Sequence, residues 1–197
     1  SETAAVLMCA GLTVYSAFKA HIPSPGLKVG ILGIGGLGHL AIQFAHALGC
    51  EVTAISSSPD KQEQAFGFGA DHFIYSNDRT KFGGANRFTF DQVYCTANHV
   101  ENLSPILAKV KKRGRFILLG FPDLEFNSTD LVAHELSITG SLIGNPPTMR
   151  EMLKFAEEHQ ITPLIELMPM SQVNQALQRV KDNKARYRIV LINDLVT

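Results

Sequence analysis

The sequence has no excess of charge in either direction: eighteen Lys and Arg stand against eighteen Asp and Glu in 197 residues. No run of five like charges occurs, so there is neither a basic track for a polyanion nor an acidic tail, and no nucleic-acid partner is expected. Long apolar runs are scarce as well. Glycine and polar residues cut the hydrophobic stretches before they reach the roughly 18 residues of a membrane-spanning helix, and no charged leader precedes an apolar block and a small-residue cleavage site. A soluble, cytoplasmic protein with no membrane partner is the expectation. Cysteine is sparse too. Cys9, Cys50 and Cys95 are odd in number and widely spaced, which speaks against a disulfide framework and a self-contained zinc knuckle. Each is by default a small buried hydrophobe. Internal repeats and low-complexity tracts are absent.

What is present is a rhythm. At about 150 residues per domain the length suits one domain plus an appendage. The chain opens on SETAAVLMCAGL, without an initiator Met and already in an apolar helical pattern, and is expected to be the middle of something longer. From Lys28 onward, β-branched runs alternate with amphipathic segments: VGILGI, GLGHLAIQFAHALG, EVTAIS, PDKQEQAFGFG, DHFIYS, FTFDQVYC, HVENLSPILAKV, GRFILLG, ELSITGSLIG and PPTMREMLKFAEEHQ. Such alternation predicts βαβ units and an α/β fold, a doubly wound parallel sheet of the Rossmann kind. Gly83 to Arg87 reads as a glycine-bearing connection, and Phe121 to Asp130 as a polar, Pro-containing crossing that leads into a strand. After about Gln160 the character changes to ITPLIELMPM, a helix SQVNQALQRVKDN and a last strand YRIVLIN. These segments do not extend the parallel rhythm. The expected division is residues 1–21, then a dinucleotide-binding domain over 22–160, then 161–197, with both terminal segments belonging to a catalytic domain that lies elsewhere.

Gly33, Gly35 and Gly38, with Gly36 and Leu37 between them, form GxGxxG after a strand and at the opening of a helix. The first glycine permits a tight turn, the second lets a pyrophosphate approach the backbone, and the third allows close packing of helix on strand. The phosphates would then sit at the positive helix N-terminus. A lone glycine turn could serve packing alone. Here strand, helix and second strand are in register, which favours dinucleotide binding.

A site for NAD places Asp or Glu at the end of the second strand, where it binds the adenosine ribose hydroxyls. That position is Ser56. A carboxylate there would repel a 2′-phosphate, whereas Ser56 and Ser57 can donate hydrogen bonds and Lys61 can supply charge. NADP(H) is therefore the expected cofactor. Asp60, beside Lys61, works against this field, and Ser58 stands where a cap would precede a helix beginning at Pro59.

YSAFK, Tyr15 to Lys19, matches the Tyr-x-x-x-Lys pair of short-chain reductases. In that family the pair follows a GxxxGxG turn at a distance, whereas here it precedes GxGxxG, so Tyr15 is expected to be a packing residue.

AAVLMCAGLTVYSAFK, GIGGLGHLAIQFAHALG, VTAISSSPDK, GRFILLG, SITGSLIG and ARYRIVLIN are together similar to the successive landmarks of the zinc-dependent medium-chain alcohol dehydrogenases. The likeness is nearest to their cinnamyl alcohol dehydrogenase branch and spans essentially the whole chain. It implies a cofactor domain inserted into a catalytic domain, which accounts for both unusual ends. It implies that Cys9 is one thiolate ligand of a catalytic zinc and that Thr13 lies against the nicotinamide. By the same resemblance Ser56, Ser57 and Lys61 hold the 2′-phosphate, and Gly33 to Gly38 cradle the pyrophosphate with Arg188 as a second phosphate contact. Ser141 and Gly144 would border the nicotinamide through their backbone. The implied reaction is reversible reduction of an aldehyde to a primary alcohol, with NADPH as hydride donor and zinc polarising the carbonyl oxygen. Small aldehydes or alcohols are thus the implied partners, together with a second copy paired through the edge strand ELSITGSLIG.

No part of this sequence resembles that family's N-terminal module, which by the resemblance would carry the remaining zinc ligands and the proton relay. A catalytic zinc takes about three protein ligands, and one cysteine does not complete a set. His21, His39, His46, His72, His99, His134 and His159 show no paired ligand spacing and are expected to be structural or exposed. Two readings stand side by side: the cofactor portion of a reductase that is inactive in isolation, and a non-catalytic NADPH-binding module or redox sensor.

Overall fold

The computed structural model describes residues 2–21, 24–82 and 89–195; the connection expected over Gly83 to Arg87 lies outside them. The first segment is helical throughout, with α1 (Glu2–Val6), a π turn (Leu7–Gly11) and α2 (Leu12–His21) running on without a break. Thr13 sits one turn after Cys9 and donates its hydroxyl to the Cys9 carbonyl at 2.8 Å, a side-chain bond that competes with the regular helical ladder. Contrary to the expectation of short apolar runs, the helical segment Glu2–His21 contains an 18-residue window with a mean hydropathy of 1.4, long and apolar enough by length and composition to cross a membrane. Apart from Lys19, its interruptions are Gly, Thr, Tyr and Ser, which lower hydropathy only slightly. Half of the span is buried, and Leu12, Val14, Ala17 and Phe18 lie in the core. Tyr15 packs between Phe44 and Phe155 and donates its hydroxyl to Glu151 at 3.0 Å. Burial, and then Glu151, push its phenol up to about 12. Lys19 turns to Glu151 as well. Tyr15 is thus the packing residue expected, and its shift is opposite to what a catalytic tyrosine needs.

The rest of the chain alternates as predicted. In order come β1 (Lys28–Leu32), α3 (Gly38–Ala47), β2 (Glu51–Ser56), α4 (Gln62–Gly67), β3 (His72–Tyr75) and β4 (Phe90–Cys95). Next are α5 (Ser104–Leu107), β5 (Val110–Leu118), α6 (Ser128–His134), β6 (Ser137–Gly140) and α7 (Pro146–Glu158). Six strands form one sheet in the order β3-β2-β1-β4-β5-β6, parallel at every pairing. Because side chains alternate across a strand, β1 sends Val29 and Ile31 to one apolar layer and Leu32 to the other. β4 likewise sends Tyr94 to the first and Val93 and Cys95 to the second. Both faces are covered, as parallel sheets require.

Two readings need correction. The crossing from Phe121 carries helix α6, which begins within it; Asn127 accepts the Thr129 N–H at 2.9 Å as its cap. No residue of α6 is buried, so no apolar stripe marked it. After Gln160 the chain does form a parallel unit, β7 (Ile165–Pro169), α8 (Val173–Lys181) and β8 (Arg188–Ile192), but its two strands make a separate sheet.

Candidate cofactor site

In the six-stranded sheet the chain runs from β1 one way to β3 and from β4 the other way to β6. The reversal falls between β1 and β4, and the crevice beyond their carboxyl ends is where open α/β sheets bind ligands. The glycine turn occupies that place. Gly33 has φ +92°, a left-handed conformation that favours glycine. A Cβ on Gly38 would run into the Gly33 carbonyl, so helix α3 and the turn can approach this closely only without one. A Cβ on Gly35 would meet nothing within 4 Å: the middle of the turn presents an open face.

The turn's carbonyls are all taken up by side chains. Thr96 Oγ1 donates to Gly33 O at 2.8 Å, Lys61 Nζ to Ile34 O at 2.7 Å, His39 Nδ1 to Gly35 O at 3.0 Å and Arg188 Nε to Gly36 O at 3.2 Å. The His39 tautomer follows from its second bond. Leu164 N–H donates to Nε2 at 3.2 Å, so the ring proton sits on Nδ1. Burial draws the His39 pKa down to about 4, and the Gly35 bond only partly opposes it. The ring stacks on Tyr187 with centroids 5.1 Å apart. Helix α3 has no side-chain cap at its N-terminus. The His39 backbone N–H is spent on Gly35 O, and the Leu40 and Ala41 N–H groups on Leu37 O. With the carbonyls occupied and no side chain over the start of α3, the turn presents the positive end of the helix, a surface for an anion.

The serine turn lies at the end of β2. Ser56 is buried, and its Oγ accepts the Ser58 N–H at 3.1 Å; Ser57 is exposed. Ser58 occupies the position before the short 3-10 turn Pro59–Lys61 but makes no side-chain cap bond, so its expected capping role is not realised. Lys61, anticipated as a charge beside the serines, is buried and turned inward to Ile34 O. Burial, followed by the charge of Arg186, lowers its pKa.

The structure brings Gly33, Gly35, Gly36, Leu37, Gly38, Lys61 and Arg188 together, and Ser56 and Ser57 follow at the same carboxyl end of the sheet, where Gly33 N–H donates to Ile55 O at 2.9 Å. Cys9 is exposed on the π turn, within electrostatic range of the half-buried Arg188, whose pKa is lowered chiefly by burial. Among the described residues no group of three His, Cys, Asp or Glu could hold a metal. The donors among the described residues therefore do not by themselves make a zinc site. Thr13 is half-buried beside Cys9. Ser141 and Gly144 follow β6 in an exposed loop; Ser141 N–H is spent on Leu118 O at 2.9 Å, and Gly144 packs so closely on Ser16 and Leu12 that a Cβ would collide. Sequence reasoning missed Thr96, and it missed the bracing role of His39. A polar residue inside the apolar run GHLAIQF was the only available signal for the latter.

The comparisons with known proteins agree with this geometry. A family model described as zinc-binding dehydrogenase matches residues 36–158. Dehydroprecondylocarpine acetate synthase of Catharanthus roseus is 41% identical over 191 residues, covering 95% of this chain and 52% of its own length. The cinnamyl alcohol dehydrogenase SbCAD4 of Sorghum bicolor superposes with a TM-score of 0.90 at 37% identity, over 96% of this chain and 55% of that one. CAD of Helicobacter pylori, solved in complex with NADP(H), has a TM-score of 0.84 at 30% identity, over 95% and 54%. The chain spans about half the length of the curated relatives it matches. With a doubly wound sheet, a glycine turn at its switch point and a matching family model over most of its length, the chain belongs to the zinc-binding dehydrogenase family.

Proposed function

We propose that this chain is the cofactor-binding portion of an NADP-dependent alcohol dehydrogenase or aldehyde reductase. The observation that carries the reading is the end of β2. Where a carboxylate would select NAD, there is Ser56, followed by exposed Ser57 and by Lys61 one short turn later. The complex of the Helicobacter pylori relative with NADP(H) supports the same choice.

In this reading the open face at Gly35 and the uncapped start of α3 take the pyrophosphate, with Arg188 alongside, and Ser56, Ser57 and Lys61 take the 2′-phosphate. Lys61 spends one N–H on Ile34 O and keeps two for an anion. Thr13, Ser141 and Gly144 border the nicotinamide. When bound, the nicotinamide supplies the hydride that converts an aldehyde to an alcohol. Cys9 is one thiolate of a metal set whose other members come from the half of the relatives that this chain does not span. A catalytic zinc takes about three protein ligands and Cys9 supplies one, so no aldehyde turnover is expected of the chain alone. β6, at the sheet edge, carries unpaired backbone groups through which two copies could pair.

The test is a fluorescence titration of the chain with NADPH and with NADH. Tighter binding of NADPH is expected, and Ser56→Asp should invert the preference, because its carboxylate accepts ribose hydroxyls and repels the phosphate. Equal affinities in the unaltered chain would refute the NADP assignment.

A further inference from the structure

Arg186 comes from near the far end of the chain, yet its guanidinium reaches the serine turn, with Nη2 3.3 Å from Asp60 Oδ2. Its Nη1 donates to the Asn183 carbonyl at 3.2 Å, and its backbone N–H donates to Glu166 Oε1 at 2.6 Å. The guanidinium lies 6.0 Å from the centroid of the Tyr187 ring, and Lys61 Nζ lies 5.6 Å from the same centroid. Two cations therefore flank one ring beside three serines. Asp60 is the carboxylate that offsets them, and its side chain is 63% exposed.

An ion pair so open to water contributes about 0–1 kcal/mol, so breaking it costs little. A phosphate dianion offers a guanidinium more than a carboxylate does: more charge and three acceptor oxygens, matched to the planar fork of donors. We propose that Arg186 is a specificity-determining residue for the 2′-phosphate of NADP(H). The Asp60 pair holds the guanidinium at the turn, and the phosphate takes it over on binding. Asp60 is then left to water. Because Arg186 stands just before β8, the exchange would clasp the phosphate between the six-stranded sheet and the two-stranded unit. This rests on the NADP reading.

The test uses the 197-residue chain, with NADPH and NADH each titrated against the unaltered protein and the variants Arg186→Gln, Arg186→Lys and Asp60→Asn. Arg186→Gln should weaken NADPH by about tenfold, the scale of one hydrogen-bonded charge, and leave NADH within about twofold. Arg186→Lys should recover part of the loss. Asp60→Asn should strengthen NADPH by about threefold, since it removes both a competitor and a repulsion. If the unaltered chain prefers NADPH but Arg186→Gln weakens both cofactors alike, or neither, the role of Arg186 is overturned and the NADP reading stands. A chain with no preference for NADPH overturns both.

Discussion

In the glycine turn each carbonyl from Gly33 to Gly36 is met by a side chain from elsewhere in the chain. The β7–α8–β8 unit, by contrast, leaves Leu167, Leu177, Val180 and Ile192 exposed. Leu177 and Val180 are three apart and share a face of α8. One region is saturated in its polar groups, the other unsaturated in its apolar surface. They meet at a few points, where Leu164 bonds His39, Arg186 pairs with Asp60 and Arg188 lies on Gly36. The shape of the glycine turn thus depends on a unit with little core of its own, and what steadies that unit also steadies the turn.

The sharpest way to break this contrast is at the turn. Gly38→Ala drives a Cβ into the Gly33 carbonyl and should cost about 3 kcal/mol in urea unfolding, with loss of NADPH binding. Gly35→Ala, whose Cβ meets nothing, should hold stability within about 0.5 kcal/mol yet weaken NADPH. Equal unfolding curves for the two variants would mean that the turn is not close-packed.

Acid probes the brace between the regions. The His39 pKa falls from 6.5 to about 4 on folding, so between these values the unfolded chain binds more protons. The stability tied to neutral His39 is complete above pH 6.5 and is lost as pH falls through 4, by at most roughly 3 kcal/mol. His39→Gln should flatten that slope, measured by thermal melts from pH 7 to pH 4; an unchanged slope would assign the acid sensitivity to other groups.

Thiol labelling separates surface from interior. Iodoacetamide followed by mass spectrometry should mark Cys9 first, because Cys50 and Cys95 are buried, with thiols pushed up to about 11 by desolvation. Comparable rates at all three would contradict the exposure of the π turn. The smallest effect is expected at Leu177, where Leu177→Ser should change the stability of this chain by no more than about 0.5 kcal/mol. A cost above about 2 kcal/mol would show that the α8 face is covered in solution.

The main sheet was legible because its central strands β1, β2 and β4 are short, mostly buried runs that alternate with amphipathic segments. The glycine turn was legible because a left-handed turn and a close helix approach both demand glycine. Helix α6 was not, since a helix with no buried residue carries no stripe. The second parallel pair was not legible as such either: β7 and β8 repeat the pattern of the first sheet, and sequence cannot say that they form another. At the site, the sequence reading put Lys61 beside the serines but not its inward turn to Ile34 O.

By itself the sequence determined the alternation of strands with the helices that bury a face, the glycine geometry and the absence of an acid at the end of β2, because local backbone preference and side-chain periodicity carry these. Only the tertiary structure decided which residues brace the turn. His39 joins Gly35 to Leu164 across 125 positions, and Arg188 reaches Gly36 across 152. Bonds of that range leave no mark on local pattern: a buried carbonyl must find a donor, but which one is set by how the two sheets pack.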